Sequence, residues 1–273
     1  LVGSEMCIRD RAMGVKVKCE LVAKKMLVDG IYKFSVKAPE IASTAKAGQF
    51  LEIQVSEVGE PFLRRPISIY NISKEEEIVE FIFQVKGRGT ELLAKKEIGS
   101  QIDIMGPLGF GIFKVQEYKN VAIIGGGIGC YPLYELAKEL KGKANINVYL
   151  GFRDKSLVTC EKDFEEIGLN KLVVTTDDGS YKEKGFAIDF MKKDIEEHHV
   201  DMIFACGPLP MLKAVRQYAI ENNIPCQISL EERMGCGIGA CLGCAVKVIS
   251  GKEPRYGHVC KEGPVFNAAD VEI

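Results

Sequence analysis

The chain has 273 residues, with 36 Lys and Arg against 38 Asp and Glu and a formal net charge of -2. This near-balance gives no reason to expect nucleic acid or an acidic membrane surface as a partner. No apolar run approaches the ~18 residues of a membrane-spanning helix, and no secretory leader is evident, so we expect a cytoplasmic protein. The length suggests two domains with room for a small third, at roughly 100–200 residues per domain.

The first twelve residues, LVGSEMCIRDRA, fit no element of the pattern that follows them. They resemble translated sequencing-adapter read-through, and Met13 offers a natural start. We therefore expect residues 1–12, including Cys7, to be a non-native leader that takes no part in the fold.

Six short runs rich in Val, Ile, Phe and Tyr follow between residues 15 and 106. Glycine, proline or charged clusters separate them, and this spacing predicts a closed antiparallel barrel of six strands. One helical stretch, TELLAKKE, precedes the last run. The runs are KVKCELVAKKMLV, GIYKFSVKA, QFLEIQV, PISIYNI, EIVEFIFQV and SQIDIMG.

The pattern changes after about residue 115, where apolar strands alternate with helical segments. This alternation predicts βαβ units and a parallel sheet. From residue 232 onward, the chain is rich in glycine and cysteine and short of helix signals. The predicted strands are NVAIIGG, NINVYLGF, KLVVTTDD, VDMIFACG and PCQISLE, and the predicted helices include YPLYELAKELKG and PLPMLKAVRQYAIENN.

Two strand-to-helix turns of the predicted sheet carry glycine, in AIIGGGIGCYP and in FACGPLPM. Phosphates bind at such helix N-termini, and ligands bind at the carboxyl ends of parallel strands. The two turns together therefore predict a nucleotide site. The first turn departs from the G-x-G-x-x-G pattern because Cys130 stands at the third glycine position, and a plain tight turn is the alternative.

Two stretches of the predicted barrel favour an anionic ligand. FLRRPISIY places Arg64 and Arg65 beside a strand, and KGRGTELL places Gly89 and Thr90 at a predicted helix start. Arginine beside a helix N-terminus suits a pyrophosphate group. A solvated basic strand end followed by a helix cap is the alternative.

Four of the ten cysteines cluster near the C-terminus, as Cys236-x4-Cys241-x2-Cys244-x15-Cys260. Clustered cysteines in a reducing compartment are more often metal ligands than disulfides. This order is the plant-type [2Fe–2S] arrangement, whereas structural zinc sites usually draw on two C-x2-C pairs. The small residues between the cysteines let the backbone wrap closely around a cluster. Zinc and unliganded thiols are the alternatives.

Taken in order, R-x-x-S, G-x-G-T, G-G-G-x-G-x-x-P and C-G-P-x-x-M resemble the ferredoxin–NADP reductase superfamily over almost the whole chain after residue 13. The loop MGCGIGACLGCAVKV narrows the resemblance to the iron–sulfur electron-transfer subunits of NAD-dependent (type B) dihydroorotate dehydrogenases. It implies an FAD-binding β-barrel domain over 13–115, an NAD-binding α/β domain over 116–231 and a small [2Fe–2S] domain over 232–273.

The resemblance also implies which residues bind each group. Two barrel strands contact the flavin, the start of the barrel helix takes the pyrophosphate, and the two glycine turns take the nicotinamide nucleotide. No side chain is assigned as catalytic, because hydride transfer to flavin needs no protein nucleophile. The implied cofactor-binding residues are Arg65, Pro66, Ile67, Ser68, Ile82, Phe83, Gln84, Gly89, Thr90, Gly125, Gly126, Gly127, Gly129, Cys206, Gly207 and Pro208, and the implied cluster ligands are Cys236, Cys241, Cys244 and Cys260.

By the same resemblance, the protein is an electron-transfer subunit in pyrimidine biosynthesis. It implies that electrons pass from the FMN of a dihydroorotate dehydrogenase catalytic subunit through [2Fe–2S] and FAD to NAD+, in a heterotetramer with two copies of each subunit. We expect the cluster loop to face that partner, because one-electron transfer needs short distances. Cys206 is expected near the contact between nicotinamide and flavin, with a plain buried cysteine as the alternative.

Three questions stay open at this point. The partner system could instead be a ferredoxin-linked NADP oxidoreductase, a sulfite reductase or a hydrogenase. A zinc-stabilised binding module without redox activity is an alternative of a different class. The choice between NAD and NADP is also open, because GFRDK offers both Arg153 and Asp154 after the second strand of the sheet.

Overall fold

A computed structural model of the chain describes residues 14–56, 59–251 and 253–273. The expected non-native leader over residues 1–12, with Cys7, lies outside the described residues, and so does Met13. That expectation therefore stays a prediction.

The N-terminal part is a closed antiparallel barrel, as predicted, with strand order β1-β2-β5-β4-β3-β6. Its inner face is apolar: Leu51 and Ile53 of β3 lie in the barrel core, while Phe50 and Glu52 alternate with them on the outer face. Two short helices, α1 and α2, complete this part. The bounds are β1 Val15–Val28, β2 Ile31–Lys37, α1 Pro39–Ala42, β3 Phe50–Ile53, β4 Arg65–Ser73, β5 Ile78–Gln84, α2 Arg88–Ala94 and β6 Gln101–Leu108.

The middle of the chain forms a sheet of order β10-β9-β8-β7-β11-β12-β15, in which the first six strands are parallel. Alternate residues of β7 pack on opposite faces, with Val121 and Ile123 under α3 and Ala122 and Ile124 under α5 and α6. Among the described residues, no helix is long and apolar enough to cross a membrane. The bounds are β7 Asn120–Gly126, α3 Pro132–Leu140, β8 Asn145–Phe152, α4 Glu161–Glu165, β9 Lys171–Thr176, β10 Glu183–Lys184, α5 Ala187–Glu197, β11 Met202–Cys206, α6 Leu209–Glu221 and β12 Cys226–Ser229.

The C-terminal part is tied to both other parts. A small sheet of order β14-β13-β16 carries the cysteines, but β15 leaves it and pairs antiparallel with β12 of the large sheet. Backbone N–H groups of Phe110 and Gly111, just after the barrel, donate to carbonyls at 261 and 263. The sequence analysis did not predict a C-terminal strand in the large sheet. The bounds are β13 Ala245–Val248, β14 Arg255–His258, β15 Val265–Asn267 and β16 Val271–Glu272.

A buried carboxylate joins the barrel to the sheet domain. Glu135 of α3 accepts hydrogen bonds at one oxygen from the backbone N–H of Ile72 in β4 and from the Lys138 ammonium, both at 2.9 Å. Lys138 also donates to the Asn71 side chain and to the Ile72 carbonyl. Every group of this network has a partner, so the contact fixes α3 against the barrel wall.

Replacing Glu135 by Ala should lower the free energy of unfolding by about 1–3 kcal/mol, because it leaves the buried Ile72 N–H without an acceptor. Urea unfolding followed by circular dichroism measures the change. Glu197→Ala is the matched control, since Glu197 is exposed at the last turn of α5. Equal stability of the two variants would contradict a structural role for the Glu135 network.

Candidate functional site

A cleft of about 890 Å³ opens at the carboxyl ends of the parallel strands, and we call it the interdomain cleft. Gly126, Gly127 and Gly129 of the first glycine turn line it, together with Gly207 and Pro208 of the second. Barrel residues, including Ile31 and Gln84, form the opposite wall. Five of the seven residues predicted to bind the nicotinamide nucleotide thus line one cleft beside the barrel.

The glycines allow the two turns to touch. A Cβ atom on Gly129 would lie 2.5 Å from the Gly207 Cα atom and 2.6 Å from the Cys206 carbonyl carbon. Gly127 has a φ of +55°, a conformation that glycine adopts without steric cost. Backbone N–H groups at the start of α3 therefore border the cleft without intervening side chains.

The two other predicted residues, Gly125 and Cys206, do not line the cleft. A Cβ atom on Gly125 would lie 2.9 Å from the Cys130 Sγ atom, so this glycine serves packing beneath the turn. The Cys206 thiol is buried in the sheet core, where burial raises its pKa above the ordinary thiol value. The structure thus places Cys206 as a buried core cysteine whose successor, Gly207, borders the cleft.

The rim of the cleft carries opposite charges. Arg153 after β8 and Asp177 after β9 both line it. Asp154 instead accepts hydrogen bonds from the Ser156 backbone and hydroxyl, and Asp178 does the same for Ser180. The acids that line the cleft are therefore Asp177 and Glu231. Asp177 is not among the residues predicted from the sequence, where two aspartates directly after an apolar strand are its only signal.

The two arginines of the barrel motif have different roles. Arg64 spans β3 and β6, donating to the Glu52 carbonyl at 3.1 Å and to the Asp103 carboxylate at 2.5 Å. The Arg65 guanidinium lies against Gly89 at the start of α2, where a Cβ atom would approach its Nε to 2.5 Å. Arg65 and the start of α2 thus come together as the pyrophosphate prediction requires, while Arg64 is structural.

The other residues predicted to bind flavin alternate between the inner and the outer face of the barrel strands. The side chains of Ile67 and Phe83 lie inside the barrel core, so only their backbone faces outward. Ile82 packs outside the barrel, next to Tyr131, and Gln84 lines the cleft. Pro66 and Ser68 lie on the outer face of β4, which is the central strand of the β5-β4-β3 segment.

Thr90 uses its hydroxyl group within its own turn. The hydroxyl accepts a hydrogen bond from the Lys86 N–H at 2.9 Å and donates to the Gly87 carbonyl at 3.0 Å. It therefore shapes the start of α2, and the contribution of Thr90 to an anion site would come from its backbone.

Residues 234–244, which we call the cysteine loop, bring three of the four clustered cysteines together with the fourth, Cys260. Side-chain interactions pair Cys236 with Cys241 and Cys244 with Cys260. No three His, Cys, Asp or Glu side chains of the described ranges converge on a single ion position. Arrangement in two pairs suits a two-iron cluster, in which each iron takes two protein ligands.

Backbone N–H groups of the loop point at the sulfur atoms. Ala240 and Cys241 donate to the Cys236 Sγ at 3.2 and 3.3 Å, Gly239 donates to the Cys260 Sγ at 3.1 Å, and the Cys260 N–H donates to the Cys244 Sγ at 3.4 Å. Burial raises the pKa of Cys236, but N–H groups from Ile238 and Cys241 outweigh it and lower this pKa to about 6. The loop therefore favours the thiolate of Cys236, the form that binds iron. Burial and the neighbouring Cys244 instead raise the pKa of Cys260 to about 12.

A buried carboxyl group lies under this loop. Glu52 of β3 is 1% exposed, and within the described ranges neither of its carboxyl oxygens has a hydrogen-bond partner. Gly237 of the cysteine loop approaches so closely that a Cβ atom there would lie 2.5 Å from the Glu52 Cγ. The sequence analysis assigned Glu52 no role, because a single acid within a strand gives no sequence signal of burial.

Two family models match parts of the chain. Residues 123–217 match the oxidoreductase NAD-binding domain. Residues 231–272 match the iron–sulfur cluster binding domain of dihydroorotate dehydrogenase B. The glycine turns of the interdomain cleft thus lie in the NAD-binding match, and the cysteine loop lies in the iron–sulfur match.

Solved structures share the fold. The NADH-dependent reduced ferredoxin–NADP oxidoreductase superimposes with a TM-score of 0.83 at 33% identity, covering 95% of this chain and 91% of the other. The ferredoxin reductase in carbazole 1,9a-dioxygenase superimposes with a TM-score of 0.67 at 20% identity, over 78% of this chain and 67% of the other. The predicted ferredoxin–NADP reductase fold is confirmed.

Curated relatives match over nearly the full length. The electron transfer subunit of dihydroorotate dehydrogenase B (NAD(+)) from Desulforamulus reducens is 39% identical over 248 residues, covering 90% of this chain and 94% of the relative. The electron transfer subunit from Bacillus pumilus is 41% identical over 261 residues, covering 94% of this chain and 98% of the relative. The chain belongs to the family of electron transfer subunits of dihydroorotate dehydrogenase B (NAD(+)).

Proposed function

We propose that the protein carries electrons from the FMN of a dihydroorotate dehydrogenase catalytic subunit to NAD+, in pyrimidine biosynthesis, within a heterotetramer of two copies of each subunit. The family supports a separate catalytic partner, since its members are named as electron transfer subunits. We also propose a cytoplasmic location, where clustered thiols stay reduced. The cofactor units we propose are residues 13–115, 116–231 and 232–273.

One observation carries this proposal: the strand β4, with the flavin-binding motif, lies between the two other sites. Its neighbour β5 ends at Gln84 in the interdomain cleft, and its other neighbour β3 places Glu52 under the cysteine loop. A flavin bound on the outer face of β4 would therefore lie between the cleft that would hold the nicotinamide and the loop that would hold the cluster. When bound, FAD would exchange hydride with the nicotinamide and single electrons with the cluster.

The residues of the chain bind and orient these groups. Arg65 and the first N–H groups of α2 supply positive potential for the pyrophosphate. The glycine turns, from Gly126 to Gly129 and at Gly207, let a dinucleotide approach the backbone in the cleft. Apolar walls, including Ile31 and Met211, exclude water from the place where nicotinamide and flavin would meet.

The four cysteines would hold the cluster as two pairs, Cys236 with Cys241 and Cys244 with Cys260. The N–H groups that donate to the Sγ atoms of Cys236, Cys244 and Cys260 would stabilise these three thiolate ligands. Cys206 contributes through the turn that follows it, and no acid or base of the chain is assigned a proton transfer.

The function is tested by mixing the anaerobically purified protein with a dihydroorotate dehydrogenase catalytic subunit and following NAD+ reduction. We expect dihydroorotate to reduce NAD+ only when both subunits are present. Optical bleaching of the flavin by NADH, with a rhombic low-temperature EPR signal, checks the two cofactors independently. A colourless protein with bound zinc would overturn the electron-transfer function.

A second candidate partner follows from the 33% identity to the NADH-dependent reduced ferredoxin–NADP oxidoreductase. In that case, reduced ferredoxin would replace dihydroorotate as the electron source. The same assay with each partner separates the two candidates, because only the matching partner forms a complex that turns over.

Gly89→Ala should weaken FAD binding at least tenfold, or by ~1.4 kcal/mol, because the new methyl group displaces the Arg65 guanidinium. Fluorescence titration of the flavin-free protein with FAD measures the affinity. Gly87→Ala is the matched control, since nothing lies within 4 Å of a Cβ atom there. If both variants bind FAD like the parent protein, Arg65 and Gly89 do not form the pyrophosphate site.

Asp177→Ser should reduce the preference for NADH over NADPH on the order of tenfold in kcat/KM. A carboxylate accepts hydrogen bonds from the ribose hydroxyls of NADH and repels the 2′-phosphate of NADPH. Steady-state reduction of ferricyanide with each nucleotide gives the ratio. Asp178→Asn serves as control, because it keeps an oxygen for Ser180 outside the cleft; an equal effect of both changes would speak against Asp177.

Leu242→Glu should weaken binding of the catalytic subunit by about tenfold or more, since a charge replaces an apolar side chain at the centre of the expected interface. Leu242 is 59% exposed on the cysteine loop. Ile98→Glu is the control, at a barrel side chain that is 63% exposed. Sedimentation or surface-binding measurements that find unchanged affinity for Leu242→Glu would place the interface elsewhere.

A further inference from the structure

Glu52 occupies the junction between the flavin-binding strand and the cysteine loop. In the barrel register it lies opposite Pro66 of β4, with Phe50 of the same strand opposite Ser68. On its other side it pairs with Met105 of β6. Since paired residues share a face, the carboxyl group stands on the same barrel face as Pro66 and Ser68.

The cysteine loop covers this carboxyl group from outside. A Cβ atom on Gly237 would lie 2.5 Å from the Glu52 Cγ and 2.8 Å from its Oε1. Gly237 itself has a φ of +71°, so glycine serves both the turn and the close approach. The loop residue after the ligand Cys236 therefore packs directly on the Glu52 side chain.

Among the residues that the structure describes, no cation forms an ion pair with the Glu52 carboxyl group. Arg64 bonds to the Glu52 backbone carbonyl and places its ion pair on Asp103, and Arg65 lies against Gly89. Both carboxyl oxygens are buried and unpaired among the described residues. A buried carboxyl group without partners is costly for stability, so proteins keep such groups mainly where they act on a functional site.

We propose that Glu52 is a positioning residue for electron transfer, whose buried carboxyl group sets the reduction potential of the cluster in the cysteine loop. This inference rests on the proposed function, because it requires the cluster. A negative charge in a poorly solvated interior acts over the few ångströms that separate it from the loop. It disfavours the added electron and lowers the potential of the cluster.

The surroundings of Glu52 define the state in which it acts. Burial raises its pKa to about 7, with Arg64 and Arg65 acting against that rise and Cys236 adding to it. The test is made at pH 8, on the alkaline side of this pKa.

The experiment is an EPR-monitored redox titration of the complete FAD- and iron-loaded protein at pH 8. Glu52→Gln keeps the shape of the side chain and removes its charge, so the midpoint potential of the cluster should rise. Glu52→Asp keeps the charge and should leave the midpoint near that of the parent protein. Glu135→Gln is the matched control, because it removes a buried carboxyl group that belongs to α3 and does not lie under the cysteine loop.

Each outcome decides between explanations. An unchanged midpoint in Glu52→Gln, or an equal shift in Glu135→Gln, would refute the tuning role. Loss of iron in Glu52→Gln with about two irons per chain retained in Glu52→Asp would also refute it, because the carboxyl group would then serve to hold the loop. A parent protein without a rhombic signal would refute the proposed function instead.

Discussion

The antiparallel pairing of β15 with β12 determines how the parts of this molecule stand to one another. β15 follows the last cysteine by only a few residues, yet it completes the edge of the large sheet. Backbone hydrogen bonds after the barrel hold the same segment from the other side. The cysteine loop is therefore carried by a sheet edge and not by a linker, and backbone hydrogen bonds of this kind form regardless of side chain. A centre that passes single electrons benefits from such a fixed position.

Close backbone approach at glycine positions brings the proposed cofactor sites together. Gly129 allows the two turns of the interdomain cleft to touch, and Gly237 allows the cysteine loop to cover the barrel face. A side chain at either position would push the neighbouring elements apart, because a close-packed interior has little space to accommodate the added atoms. The barrel strand β4 thus lies between the interdomain cleft, on the side of β5, and the cysteine loop, on the side of β3.

Two buried glutamates illustrate opposite uses of a carboxyl group. Glu135 has every partner that it needs and joins the barrel to α3. Glu52 has none for its carboxyl oxygens and lies beside the cysteine loop. A buried carboxylate with hydrogen-bond partners makes the structure more rigid. A buried carboxyl group without partners has a raised pKa, and its charge acts on neighbouring groups. The difference separates a structural acid from one placed at a functional junction.

The sequence by itself determined the barrel, the parallel sheet and the iron–sulfur character of the C-terminal loop. These follow from strand runs, strand-helix alternation and the spacing of Cys236, Cys241, Cys244 and Cys260, all of which are local patterns. Tertiary structure alone decided that Asp177 and not Asp154 faces the cleft, that Ile67 and Phe83 turn into the barrel, and that β15 crosses to the large sheet. It also decided the burial of Glu52. These features depend on which residues meet across the fold, and contacts between distant segments leave no periodic trace in one sequence.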